Sequence, residues 1–450
     1  MTLNQRNIAY VINTVILVGV VVLVSTSENL HSATETKPRA EESKHFYGPG
    51  DNKQGYESID YKTNALDLQK RIGKEADLLV FVKNPPLGLP AVPVPEDNPI
   101  TKEKVSLGRK LFFDRRLSIN DTFSCAICHI PEQGFTNNEI QTAVGVEGRS
   151  GKRNALTIYN VAYLEILFHD GRESTLEQQV WSPFLARHEM ANPSIGYVIN
   201  KLKAIPGYKG LFEKAFNGRG PTMETVGMAL ASYQRTLNAA NSPFDRWYFK
   251  NQEDAVNDQV KRGFEHFNGK AACSTCHLIH ENYALFTDNQ FHNTGLGYQA
   301  SMGTTSKTTR VQLAPGVFTD LDNEVIKRVS RIKENDVGRY EITENPNDRW
   351  KYRTPTLRNV ALTAPYMHDG SLLTLREVME FYNQGGVPNE VLSPLIKPLG
   401  LTNEEMDDVV EFLKSLTGSN IGTLVADAFA APIGDLTKDD PNWAHDNKIE

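Results

Sequence analysis

Cys125-Ala-Ile-Cys-His129 and Cys273-Ser-Thr-Cys-His277 decide the reading of this chain. Each is C-x-x-C-H, the pattern of covalent c-type haem attachment. Two thiols one helical turn apart can add to the two vinyl groups of one porphyrin. The histidine that follows is then placed to ligate the iron. The two motifs use all 4 cysteines of the chain. Two C-x-x-C pairs could instead share one structural zinc or form redox disulfides. Either alternative leaves the histidine unexplained, twice. The expectation is two covalent haems, one on Cys125 and Cys128 with His129 as ligand, one on Cys273 and Cys276 with His277.

Outward from the motifs, a second pattern recurs. Asn160-Val-Ala162 precedes His169-Asp-Gly171 at the spacing by which Asn359-Val-Ala361 precedes His368-Asp-Gly370, and Thr175-Leu176 and Thr374-Leu375 follow at one offset. Each copy follows one C-x-x-C-H motif. Duplication of a haem domain, with the copies packed about a pseudo-twofold axis, explains this.

The 450 residues suffice for two or three domains. A hydrophobic fraction of 40% with 23% charged residues is that of a soluble globular protein. The net charge of −7 supplies no basic excess to neutralise phosphate, so no nucleic-acid partner is expected. It suits a basic redox partner, such as a small cytochrome c. Residues 9–24 are almost wholly apolar, with Arg6 before them and Ser25-Thr-Ser27 after. They read as a secretory signal or an uncleaved membrane anchor, spanning 1–27. Both export the remainder, in keeping with haem attachment outside the cytoplasm and a periplasmic protein.

Residues 28–100 are polar and turn-rich and read as a linker or wrapping extension, with a helical pattern over 65–82. An N-terminal haem domain is expected over 101–240, where Leu107, Leu111 and Phe112 mark a helix leading into the first motif. A stripe of Val226, Ala229, Leu230 and Tyr233 marks a core helix within it. A C-terminal haem domain is expected over 241–418, with 281–350 as a long irregular excursion. Thr374 with Glu377 and Thr402 with Glu405 are capping boxes, and Gly418 reads as a helix C-cap. Few segments alternate with period two, so the fold class is all-α. The tail over 419–450 reads as loosely ordered or an extended arm.

These stretches resemble the bacterial di-haem cytochrome c peroxidase and MauG family. The matching residues are Leu107-Gly-Arg-Lys-Leu-Phe112, both haem motifs, Phe168-His-Asp-Gly-Arg172, and Thr354-Pro-Thr-Leu-Arg-Asn359 running to Pro365-Tyr-Met-His-Asp-Gly370. The resemblance covers residues 100–418. It implies hydrogen peroxide as substrate at the N-terminal haem and electron relay through the C-terminal one. It also implies Glu189 as the acid–base carboxylate, Gln179 beside it and Pro183 in the same pocket. A carboxylate there makes chemical sense, because cleaving peroxide moves a proton from one oxygen to the other. Asn154, Thr363 and Pro365 match the positions that hold a calcium ion, a cation suited by such oxygen donors.

Three departures define the subgroup. The loop Ala143-Val-Gly-Val-Glu-Gly148 lacks the displaceable histidine of many peroxidases, so the first haem should react without prior reduction. Tyr382 stands where the peroxidases have a methionine ligand, as in MauG, with Met379 and Met367 as other candidates. A phenolate ligand lowers the potential and favours oxidised iron, where a thioether raises it. His169 stands where the family usually has tryptophan between the haems, which puts charge hopping there in doubt; Trp181 is a substitute nearby in sequence. The resemblance therefore implies oxidation of a partner protein, with peroxide reduction at the expense of a small cytochrome c as the alternative. A plain electron-transfer cytochrome or a structural metal protein are the readings from other classes.

Overall fold

The computed structural model describes residues 73–302, 308–314, 317–322, 324–325 and 335–431. The apolar run at 9–24 and residues 65–72 of the pattern at 65–82 lie outside them. The main helices are α1 (Lys102–Phe113), α2 (Met223–Gln234), α3 (Pro243–Lys250), α4 (Asp258–Asn268), α5 (Leu375–Asn383), α6 (Asn403–Lys414) and α7 (Ile421–Phe429). The fold is predominantly helical but not all-α. Two antiparallel pairs interrupt it: β1 (Phe291–His292) with β4 (Tyr352–Arg353), and the hairpin of β2 (Thr308–Ala314) with β3 (Val317–Asp322). The excursion read as irregular thus holds a β-hairpin, with Thr308 opposite Asp322.

Two large hydrophobic clusters form the core. The first gathers α1, α2 and α7 around Leu111, Phe112, Tyr233 and Leu424. The second gathers α3, α4 and α6 around Phe244, Phe267 and Phe412. The helices start where side chains satisfy the first backbone N–H groups. Thr101 accepts from Lys104 at the head of α1. Reciprocal capping boxes open α2, α3, α5 and α6, at Thr222, Ser242, Thr374 and Thr402.

Each core is built on one close helix pair. In the first, Gly108 of α1 lies against the Ala229 carbonyl of α2; in the second, Gly263 of α4 lies against the Asp408 carbonyl of α6. No side chain fits at either crossing. Gly→Ala inside an exposed helix stabilises by about 0.5–1 kcal/mol. Here the sign reverses, since the new Cβ would collide with backbone. Gly263→Ala is expected to destabilise by about 1–3 kcal/mol, read from the denaturant midpoint of the haem-loaded protein. An unchanged midpoint would refute this account of the crossing.

The sequence repeat has a counterpart in backbone geometry. Asn160 and Asn359 both sit in the left-handed region, at φ 60° and 62°, each opening a short 3-10 turn. Both side-chain amides donate to the Ala239 carbonyl, at 2.9 and 3.3 Å. A β-bridge then spans each His-Asp-Gly turn, Leu167 with Glu173 and Tyr366 with Leu372. Thr175 and Thr374 cap the helical segments that follow.

Three local expectations are corrected. Residues 421–429 are helical rather than loose or extended, because Ile421, Leu424, Val425 and Ala428 complete the first core. Gly418 is not a C-cap: α6 ends at Lys414, and Gly418 packs against Ala239 and Ala240 while its N–H donates to Asn359. Of the helical pattern at 65–82, the described part contains only the turn Val80–Lys83. The rest of 73–100 lies along the cores, with Leu78 buried in the first and the Gly88 carbonyl bound by Arg358.

Candidate active site

The first motif folds as a single helical turn, Cys125–Cys128, which brings its two thiols to one side. His129 follows, and its Nδ1 donates to the Phe135 carbonyl at 3.1 Å. A carbonyl can only accept, so the proton sits on Nδ1 and the Nε2 lone pair is left for a metal. Burial pushes the imidazole down, favouring that neutral form. Phe112 of α1 backs the ring at 6.4 Å. The second motif repeats this arrangement. His277 Nδ1 donates to the Phe286 carbonyl at 2.8 Å, and Phe267 of α4 backs its ring at 6.4 Å.

A single zinc shared by the two cysteine pairs does not fit this arrangement. All four thiols are free. Burial pushes Cys125, Cys128 and Cys273 up to about 12 and Cys276 to about 11. Among the described residues the one cluster of three metal-capable groups joins Cys276 to Asp288 and His292, not one cysteine pair to the other.

A cavity of about 2080 Å³ opens over His129. Ordinary ligand pockets hold about 300–1,000 Å³, so this one accommodates a porphyrin with room beside it. Its walls include Cys125, Cys128, Gln179, Pro183 and Glu189. The residues expected to act together are therefore assembled at the first motif. Glu189 is held by its backbone: its N–H donates to Ala186, and its carbonyl accepts from Val146 at 2.9 Å. The loop at 143–148 thus lies against the segment carrying Glu189, and Gly145 there has no room for a side chain against the His188 carbonyl. Burial pushes the Glu189 carboxyl above the usual range, while the Arg172 guanidinium pulls it back.

At the second motif, Tyr382 lies on α5 in the electrostatic reach of both thiols. Burial, reinforced by Cys273 and Cys276, pushes its phenol up. Met379, one turn earlier, is buried within the second core, and Met367 packs against that core's edge.

His169 lines the first cavity and donates through Nε2 to the Asn154 carbonyl at 3.1 Å. Burial, then the nearby Arg153, pushes its pKa down to about 3, so the ring is neutral. The Asn154 N–H in turn donates to the His368 carbonyl at 2.8 Å. The two equivalent histidines of the repeat are thereby joined through Asn154. Trp181 instead points into the first core beside Phe184, and the cavity walls do not include it. Of the three residues expected at a calcium ion, Asn154 donates its amide to Gln141 at 3.0 Å, and Thr363 donates its hydroxyl to Val360 at 3.1 Å.

A family profile described as di-haem cytochrome c peroxidase matches residues 102–254. The chain is 38% identical over 339 residues to "Cytochrome-c peroxidase IdrP1" of Denitromonas iodatirespirans, covering 74% of this chain and 87% of that one. It is 37% identical over 327 residues to "Methylamine utilization protein MauG" of Methylorubrum extorquens, covering 72% and 81%. Among solved structures, a MauG-like protein associated with microbial copper homeostasis superposes with a TM-score of 0.63 at 29% identity, covering 78% of this chain and 98% of that one. The chain belongs to the di-haem cytochrome c peroxidase and MauG family.

This di-haem peroxidase is accordingly an oxidoreductase with haem cofactors. Three cavity residues escaped the sequence reading. His188 lies with Nε2 3.6 Å from the Glu189 carboxylate. Arg172 tunes that carboxylate from the His-Asp-Gly-Arg motif. Arg353 enters the first cavity from β4. His188 carried a sequence signal in its adjacency to Glu189, and Arg172 in closing the Phe168–Arg172 motif. Arg353 reaches the site through tertiary folding.

Proposed function

We propose that this di-haem peroxidase cleaves hydrogen peroxide at the first motif and passes oxidising equivalents through the second to residues of a partner protein. The observation that carries the reading is the cavity over His129 with Glu189 and Gln179 in its wall and no histidine on the loop beside it. A haem held by Cys125, Cys128 and His129 would supply the iron at which the O–O bond is weakened. Glu189 takes a proton from one peroxide oxygen and returns it to the other, which leaves as water. Its raised pKa suits both halves of that task. Gln179 hydrogen-bonds the bound peroxide. Burial keeps the Tyr382 phenol protonated until a local positive charge, such as a ferric iron's, brings it down.

The same reading divides the enzyme into haem domains over 101–240 and 241–418 that arose by duplication. The paired helix crossings and the two asparagines on the Ala239 carbonyl support it. A calcium ion at Asn154, Thr363 and Pro365 would tie these domains together; Asn154's bonds to Gln141 and His368, one on each side of the repeat, support that place. The apolar run at 9–24 supports export to the periplasm, by cleaved signal or by anchor. Among the described residues no helix is long and apolar enough to cross a membrane.

The second reading is reduction of peroxide with electrons from a small cytochrome c, favoured by the relatives named as cytochrome-c peroxidases. Stopped-flow absorption separates the two. The fully ferric enzyme, mixed with one equivalent of peroxide and no reductant, is expected to give a fast, persistent Soret change. Reaction only after one haem is reduced would replace protein oxidation with cytochrome c peroxidase activity.

A further inference from the structure

Arg353 is a buried cation without an acid. It is 5% exposed. Its Nε donates to the Phe168 carbonyl at 3.2 Å and its Nη1 to the Thr354 carbonyl at 3.1 Å, both neutral acceptors. Among the described residues no carboxylate pairs with it. The surrounding arginines differ. Arg153 is paired with Asp336 and Asp170, Arg172 with Asp170, and Arg358 with Asp245. The neighbouring imidazole of His169 is neutral. Arg153 also lies 3.6 Å from Glu341, and Arg172 acts on Glu189 as well, so each of these arginines meets a carboxylate and Arg353 alone does not. Burial alone pushes the Arg353 guanidinium down to about 10. A charge taken out of water in this way is retained only where a counter-ion reaches it.

Arg353 stands on β4, in the second half of the chain, yet it lines the cavity over His129 in the first. We propose that Arg353 binds a carboxylate on the rim of the porphyrin held at the first motif, so that the second half of the chain helps to seat the first half's cofactor. This rests on a haem being bound at Cys125, Cys128 and His129. A small anion drawn from solvent would satisfy the same chemistry, and the test separates the two.

The test is spectroelectrochemistry of the haem-loaded enzyme at pH 6 and pH 8, following the haem that binds cyanide. Haem content of the native enzyme checks the underlying reading on its own: absence of haem from the first motif would sink that reading before any potential is measured. In the native enzyme a carboxylate paired with Arg353 stays ionised, so the potential is expected to be flat between the two pH values. In Arg353→Gln a cation is lost, oxidised iron is favoured, and the potential falls at pH 8. At pH 6 the unpaired carboxylate takes up a proton, and the potential returns towards the native value. Arg353→Lys is expected to stay close to native. A native potential that slopes with pH, or that moves on adding chloride or phosphate, would overturn the porphyrin anchor. So would an Arg353→Gln enzyme identical to native at both pH values. If Arg353→Gln does not load haem, the native slope and the Arg353→Lys potential decide the matter.

Discussion

Glu189→Gln is expected to slow the reaction of the ferric enzyme with hydrogen peroxide by about 10²–10⁴-fold, the range for losing a positioned acid–base group. Glutamine keeps the size and a hydrogen-bonding oxygen, so the pocket is preserved while proton transfer is lost. The pH profile makes the assignment specific. Burial pushes the Glu189 carboxyl up, and Arg172 only partly offsets this. As a base, Glu189 must be ionised, so the native rate should fall as pH drops through a pKa above the ordinary carboxylate value. That inflection should be absent from the variant. Stopped-flow rates across pH, with haem content as control, check both statements. A variant that reacts within a few-fold of native would transfer the proton to another group, and His188 is the nearest candidate, 3.6 Å away.

Arg358→Met is expected to destabilise the enzyme by about 3–5 kcal/mol, the loss seen when one partner of a buried ion pair is removed. Both side chains are fully buried. Arg358 grips both oxygens of Asp245 at 2.9 Å and also donates to the Gly88 and Ala284 carbonyls, at 2.6 and 2.5 Å. Asp245 meanwhile accepts from the Ser242 N–H and hydroxyl at the head of α3. Methionine fills the space but leaves the carboxylate unpaired. Arg358→Met combined with Asp245→Asn should therefore lose less than Arg358→Met alone. Denaturant midpoints of the two variants test this, and equal losses would mean that packing, not charge, sets the effect.

How much of this was legible in the sequence depends on what each feature rests on. The haem motifs, the capping boxes at Thr374 and Thr402 and the stripe of α2 are local patterns, and the folded chain keeps them. The hairpin was missed although Thr308–Ala314 and Val317–Asp322 are rich in β-branched residues about a Pro-Gly dipeptide, a hairpin signal in its own right. The spacing of Ile421, Leu424, Val425 and Ala428 likewise fits a helix, but placement near the terminus argued for a loose arm. Arg353 could not have been read: its place depends on Phe168 of the other half lying beside it, and nothing in its immediate neighbours encodes that. Arg172 closes the quoted motif and pairs with its neighbour Asp170, but its reach to Glu189 shows only in the fold.

The return of α7 to the first core has a consequence for how the enzyme is made. Asp427 on that helix accepts from Arg109 of α1 at 2.6 Å and from the N–H of Ala76, and Lys74 donates to the Ala426 carbonyl. The core that surrounds the first motif is thus closed by residues synthesised after the whole second half. As the chain is synthesised the N-terminal half emerges first, and its apolar faces stay uncovered until the last helix follows. Over that interval the two cysteines of the first motif are not yet enclosed by the core that later surrounds them.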